Sequence, residues 1–127
     1  MYALPLEKRD RLEMSMRIRI RTESAGDIPA EIVTEKNPRT AEAIWKALPI
    51  MGTANRWGAE IYFGVSVKVR EENSQEVVEI GDLAYWPPGS CFCIFFGATP
   101  ASKGNQPRAA SPVNVFGRVT ADAETLT

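Results

Sequence analysis

From Met14 to Thr22 the chain reads MSMRIRIRT, and apolar and polar positions alternate without a break. Met14, Met16, Ile18 and Ile20 fall on one side of an extended backbone, and Ser15, Arg17, Arg19 and Arg21 on the other. That period predicts a half-buried strand. Gly26 and Pro29 are expected to break the chain after it, leaving a short second strand over Glu31–Thr34. The period then changes. In NPRTAEAIWKALPI, residues 37–50, Ala41, Ile44, Trp45 and Leu48 follow helical spacing. Asn37 suits the N-cap, Pro38 the first helical position and Pro49 the stop. One amphipathic helix over residues 38–48 is predicted, with Trp45 in the core.

Strand patterns dominate the rest. Gly52–Trp57 is expected to form a strand and Gly58 a bend. In AEIYFGV, Ile61, Phe63 and Val65 share one face, while Glu60 and Tyr62 share the other. Val67–Arg70 continues or restarts a strand, Glu71–Gln75 is a polar hairpin or loop, and Val77–Ile80 and Leu83–Trp86 are strands. The Trp-Pro-Pro-Gly run at 86–89 forces an extended approach and a turn. Cys91–Phe96 is wholly apolar, which predicts a strand covered on both faces. Ala98–Ser111 reads as a long loop and Val113–Thr120 as the last strand. Residues 1–12 suit an arm or first edge strand, and 121–127 a frayed tail. Many short strands with one helix predict a mainly β fold, a closed or nearly closed barrel.

Length, charge and residue counts narrow the function. A chain of 127 residues fits a single domain over 1–127, long enough to bury a core without staples. The net charge of −1 gives no global pull toward nucleic acid or membrane. Basic residues crowd Lys8–Arg21 and acidic ones Glu71–Asp82, and each is the other's natural partner, so no nucleic acid is expected. The sequence has no apolar run long enough to span a bilayer and no leader-like segment, which points to the cytoplasm. Cys91 and Cys93 stand too far apart along one strand for an easy disulfide and lack further ligands for zinc, so both are expected buried and reduced. The chain has no histidine, which removes histidine-based nucleophilic catalysis and histidine metal ligands. No glycine-rich phosphate loop is present either, and no cofactor is expected.

The stretch GDLAYWPPGSCFCIFFGATP, Gly81–Pro100, followed by ASPVNVFGRV at 110–119, carries a resemblance. With NPRTAEAIWKALPI and with RWGAEIYF at 56–63, it resembles the small prokaryotic cyclophilin-like proteins over most of residues 14–120. The resemblance implies a closed cyclophilin-like β barrel of about eight strands, capped by helix. Cyclophilins proper are peptidyl-prolyl isomerases. They set an arginine beside an apolar proline pocket ringed by phenylalanines, a glutamine, a tryptophan and a histidine. Here Arg56 is the candidate arginine, no histidine exists, and the only glutamines are Gln75 and Gln106, both in polar segments. The resemblance therefore implies the fold more strongly than the activity.

The residues that a plain core does not need define a candidate site. Glu60 and Tyr62 leave the Ile61–Phe63 face. Trp86 can pack while its N–H reaches a partner. Phe95 and Phe96 point in opposite directions, so one can be core and the other can line a cleft. Asn114 alternates with Val113 and Val115 and is expected to leave the core face. Together these suit a small ligand or a proline-containing peptide. Two further readings stand beside that one. The first is an enzyme, either a weak isomerase through Arg56 or an acid–base catalyst through Glu60 and Tyr62. The second is a structural subunit that forms a homo-oligomer through a strand edge or the arginine-bearing face.

Overall fold

The alternating stretch at 16–22 is a strand, and its apolar side is buried: Ile18 and Ile20 are fully enclosed while Arg17 and Arg21 are exposed. The computed structural model describes residues 2–5, 16–22 and 26–120. Ten strands run in chain order among these residues: β1 (Tyr2–Pro5), β2 (Met16–Thr22), β3 (Gly26–Ile32), β4 (Ile50–Met51), β5 (Asn55–Trp57), β6 (Glu60–Gly64), β7 (Gln75–Val77), β8 (Asp82–Trp86), β9 (Cys91–Phe95) and β10 (Arg108–Val119). Among the described residues one α-helix, α1 (Pro38–Ala47), lies between β3 and β4, and a 3-10 turn covers Pro87–Gly89. Met14 and the termini at 6–12 and 121–127 fall outside the described residues.

The pairing is antiparallel throughout, in the order β4-β1-β2-β3-β10-β8-β9-β6-β5, with β7 added on β10. The fold is mainly β, as expected, with ten strands rather than about eight. Hydrogen bonds among the described residues do not close it into a barrel. The path ends at β4 and β5, yet these are joined by only Gly52–Ala54, so the chain crosses the open seam in three residues. Gly52 packs tightly there: a Cβ on it would meet the Phe63 ring at 2.6 Å. β1 is not an edge strand but lies between β2 and β4.

Several boundaries differ from the sequence pattern for physical reasons. Gly26 and Pro29 do not interrupt the chain; both lie within β3. The Pro29 carbonyl accepts from the Thr120 N–H at 2.9 Å, so the missing proline donor lies on the β10 side, where that ladder ends at Val119. Val67–Arg70 is not a strand. The loop after Ala98 ends at Pro107, because the first half of β10 pairs with β7 before its second half joins β8 and β3. The expected arginine partner also changes: Arg19 and Arg21 meet Asp27 of β3, at 3.4 and 3.0 Å, rather than the acidic segment at 71–82.

Both faces of the sheet carry a buried cluster. The larger core holds Ile18, Ile20, Phe63, Leu83, Tyr85, Phe92, Ile94 and Phe116, with Ala41 and Ile44 of α1 packed on it. Phe63 stacks on Phe92 at 4.9 Å, and Phe116 meets Phe92 edge-on at 5.1 Å. Trp45 belongs to this core only at its margin and is half-buried. On the opposite face a smaller cluster gathers Val78, Ala84, Cys91, Cys93, Phe95, Ala109, Val113 and Val115.

Helix α1 begins at Pro38, but Asn37 does not cap it through its side chain. Asn37 is fully buried; its amide donates to the Val115 carbonyl at 2.8 Å and its oxygen accepts from the Asn73 N–H at 2.6 Å. The Glu72 carboxylate caps the helix instead. It accepts from the backbone N–H groups of Arg39 and Thr40 at 3.1 and 3.2 Å and from the Thr40 hydroxyl at 3.1 Å. A carboxylate at a helix N-terminus satisfies orphan donors and opposes the positive end of the dipole.

Candidate functional site

The site grows out of the β5–β6 hairpin, whose two central residues are Gly58 and Ala59. Gly58 has φ +61°, as a two-residue turn with glycine at its first central position requires, and a Cβ there would strike Pro100 at 2.8 Å and Thr99 at 2.9 Å. The tight turn pairs Trp57 with Glu60 and Arg56 with Ile61. Cross-strand partners share a face. Trp57 and Glu60 therefore lie on the side of the smaller cluster, and Arg56 and Ile61 on the side of the larger core.

The register carries that smaller face across the neighbouring strands. Tyr62 of β6 pairs with Cys93 of β9, Cys93 pairs with Ala84 of β8, and Trp86 pairs with Cys91. Small side chains at Ala84, Cys91, Cys93 and Ala109 leave a hollow between the large ones. The result is a cleft of about 260 Å³ lined by Trp57, Glu60, Tyr62, Trp86, Cys93, Ala109, Ala110 and Val113. Trp86 is fixed by an indole N–H bond to Ser111 Oγ at 2.7 Å. A second hollow, of about 420 Å³, lies near the seam at Pro49, Met51, Val65 and Val67, with no ionisable side chain lining it.

Glu60 is the unusual group in the cleft. It is 7% exposed, and burial pushes its carboxyl up to about 7 from an ordinary 4.5. The opposing influence is a hydrogen bond from the Cys93 thiol. Burial and the adjacent Glu60 raise the Cys93 thiol well above its usual range, and they raise Cys91 as well. Both thiols are buried and unpaired to each other, as expected. A carboxyl poised near neutrality in an aromatic hollow can hold or release a proton under ordinary conditions. Among the described residues no group of three or more potential metal ligands comes together.

The sequence candidates separate cleanly. Glu60, Tyr62 and Trp86 meet in the cleft. Phe95 is fully buried in the smaller cluster and Phe96 in the larger core, so neither lines the cleft. Asn114 is fully buried on the larger-core side. Its amide donates to Thr40 Oγ1 at 3.0 Å and to the Arg70 carbonyl at 2.9 Å, while its oxygen accepts from the Glu72 N–H at 3.0 Å. It belongs to the clasp around α1, because the valines on either side of it face the smaller cluster and not the main core. Arg56 is exposed; its Nε donates to the Gly58 carbonyl at 3.2 Å and its guanidinium lies 5.0 Å from the Phe96 ring centre. Trp57 was not evident from the alternation, although a glycine turn between two short strands sets it opposite Glu60.

Among the described residues no helix is long and apolar enough to cross a membrane. Comparison with known proteins gives no match among curated ones. The sequence profile described as cyclophilin-like matches residues 16–127. The solution structure of a hypothetical protein from Archaeoglobus fulgidus is similar, with 54% sequence identity, a TM-score of 0.71, and coverage of 84% of this chain and 81% of that one. By that profile, which takes in far more than half its length, the chain belongs to the cyclophilin-like family.

Proposed function

We propose that this protein binds a small ligand in the cleft between Trp57, Tyr62 and Trp86, and that it has little or no prolyl isomerase activity. One observation carries the reading: a carboxyl buried to 7% exposure at the wall of an open aromatic hollow, with no arginine or lysine among the groups that act on it. Burying such a group without a charged partner costs stability, and a fold that needed only packing would fill the position with an apolar residue. Ligand sites have this character, with mostly apolar walls and one or two convergent polar groups. The cleft is below the usual range of roughly 300–1,000 Å³ for drug-sized ligands, which favours a small molecule or a single ring of a proline-containing peptide over a long substrate.

An acid–base enzyme is the second reading, favoured by the carboxyl near pH 7. The two readings part on turnover. Amide and indole N–H resonances would be followed by NMR during titration with a panel of small neutral and charged compounds and with a proline tetrapeptide. Shifts confined to Trp57, Glu60, Tyr62, Trp86 and their neighbours support the site. Compounds that bind only elsewhere, or none that bind, would remove it.

A further inference from the structure

We infer that the cleft is built for an organic ammonium ion, an amine carrying small alkyl groups, held against Trp57, Tyr62 and Trp86 with the Glu60 carboxylate as its counter-charge. The inference rests on the small-ligand reading and names the ligand's class. Three aromatic side chains from three strands, β5, β6 and β8, line one hollow, and all three are only half-buried. Aromatic faces attract cations, most strongly when water is partly excluded, and such cages recognise alkylated ammonium groups. The Trp86 N–H is already engaged by Ser111, so this ring offers the cleft π surface and not a donor.

Charge selects the sign of the ligand. The cleft is lined by a carboxyl and by no lysine or arginine. The arginines that adjoin lining residues in the chain are committed elsewhere: Arg56, next to Trp57, lies over Phe96 on the other face, and Arg108, next to Ala109, pairs with Glu76 at 2.6 Å. An anionic ligand would meet Glu60 with nothing to oppose it. A neutral ligand would leave the carboxylate desolvated with only the Cys93 thiol bonded to it and no counter-charge. An ammonium supplies the missing counter-charge, and its alkyl groups lie against the apolar walls.

The same arrangement ties affinity to pH. The titratable groups on the face of Glu60 are Tyr62 on its own strand, Cys91 and Cys93 on β9, and Asp82 on β8, which accepts from the Glu79 N–H at 2.9 Å and does not act on Glu60; β5 and β8 line the cleft with Trp57 and Trp86, and β10 with Ala109, Ala110 and Val113. No cation from these elements holds Glu60 ionised. Because its carboxyl titrates at about 7, a bound cation favours the deprotonated form, and binding releases a proton below that pH. The competent fraction falls about tenfold per pH unit below the midpoint, so affinity should weaken about thirtyfold between pH 8 and pH 5.5.

The test uses choline chloride and its neutral isostere 3,3-dimethylbutan-1-ol, titrated by NMR at matched ionic strength at pH 8 and pH 5.5. The expected result is a shift of the Trp57 and Trp86 indole resonances with choline, at least tenfold weaker binding of the isostere, and the loss of choline affinity at low pH. Glu60→Gln should abolish the preference for choline and its pH dependence while still binding the isostere. Trp57→Ala, at the edge of the sheet, gives an independent loss if Glu60→Gln fails to fold. Equal binding of choline and the isostere, or unchanged choline binding by Glu60→Gln, overturns the inference and leaves the small-ligand reading in place. So does a cleft that takes neutral compounds or the proline tetrapeptide but not choline. Silence from the cleft with every one of these probes overturns both.

Discussion

Trp57 and Glu60 are cross-strand partners, and the Gly58–Ala59 turn between them holds both on the cleft side while Arg56 and Ile61 pair on the other. A shift of one residue in this hairpin would exchange the two pairs, putting a guanidinium in the cleft and a carboxyl in the main core. Gly58 guards the register twice, through its positive φ and through the close approach of Thr99 and Pro100. The chemistry of the cleft thus depends on a turn outside it.

Glu60 makes stability fall with pH. Its folded carboxyl titrates at about 7 against an ordinary 4.5, so the folded state holds its proton more tightly than the unfolded one. Below about 4.5 the group is neutral in both states and costs nothing. As pH rises from there through 7, the unfolded chain ionises first and stability is lost. The full shift corresponds to about 3 kcal/mol, and partial wetting by the open cleft reduces it to about 1–3 kcal/mol. Urea denaturation of Glu60→Gln and the wild-type protein should therefore show the variant more stable by that amount at pH 8, with the difference shrinking toward pH 4. A difference that stays constant across pH would show that the carboxyl is not desolvated.

Asn114 is expected to be a stability residue with no part in ligand binding. Its side chain satisfies Thr40, the Arg70 carbonyl and the Glu72 N–H at once, and Glu72 in turn caps α1. Asn114→Ala leaves these buried groups short of partners, and each such loss costs about 1–3 kcal/mol. A total of about 2–4 kcal/mol is expected in thermal or urea unfolding, with cleft resonances responding to ligands as before. A loss below about 0.5 kcal/mol, the scale of an ordinary surface change, would mean that the clasp is replaced by water.

The two thiols should react slowly and in order. Cys93 is 2% exposed and its thiol is pushed well above the usual range; Cys91 is 8% exposed and raised less far. Since the thiolate is the reactive form, both should label far more slowly in the native protein than in urea, Cys91 ahead of Cys93. Peptide mapping after a timed alkylation would show it. Faster labelling of Cys93 than of Cys91 would place the cleft floor nearer to solvent than its geometry indicates.

The parts of this fold that one alternation governs were legible in the sequence, and those governed by two layers were not. Ile18 and Ile20 against Arg17 and Arg21, Ile44 on the helix stripe, and Glu60 with Tyr62 all follow from period alone. Asn114 was misplaced because Val113 and Val115 looked like core, and they are, but of the second cluster. Phe95 and Phe96 do point apart, yet both faces of β9 are packed, so neither reaches the cleft. Asn37 carries a cap-forming side chain that the buried carbonyl of Val115 claims first. Tertiary partners override local preference at each of these positions, and a single period cannot reveal them.

Prolyl isomerase activity is expected to be near background. An X–Pro bond isomerises over a barrier of about 18–20 kcal/mol, and cyclophilin-like catalysis sets a guanidinium beside the prolyl nitrogen while an apolar pocket holds the ring. In this protein the aromatic hollow and the candidate guanidinium lie on opposite faces of one hairpin. Trp57, Tyr62 and Trp86 make the pocket on one side; Arg56 is stacked over Phe96 on the other. Side chains on adjacent positions of a strand diverge, so Arg56 cannot enter the cleft without breaking the register with Ile61. Removing one well-placed transition-state donor costs two or three orders of magnitude in comparable sites, roughly 2.7–4 kcal/mol. A proline tetrapeptide assay should therefore give a rate close to the uncatalysed one, unchanged by Arg56→Ala. The same substitution should cost about 0.5–1 kcal/mol of stability, the scale of an exposed cation–π contact. A rate within about tenfold of an authentic cyclophilin, abolished by Arg56→Ala, would mean that the guanidinium acts at a site other than the cleft and would make the protein an isomerase.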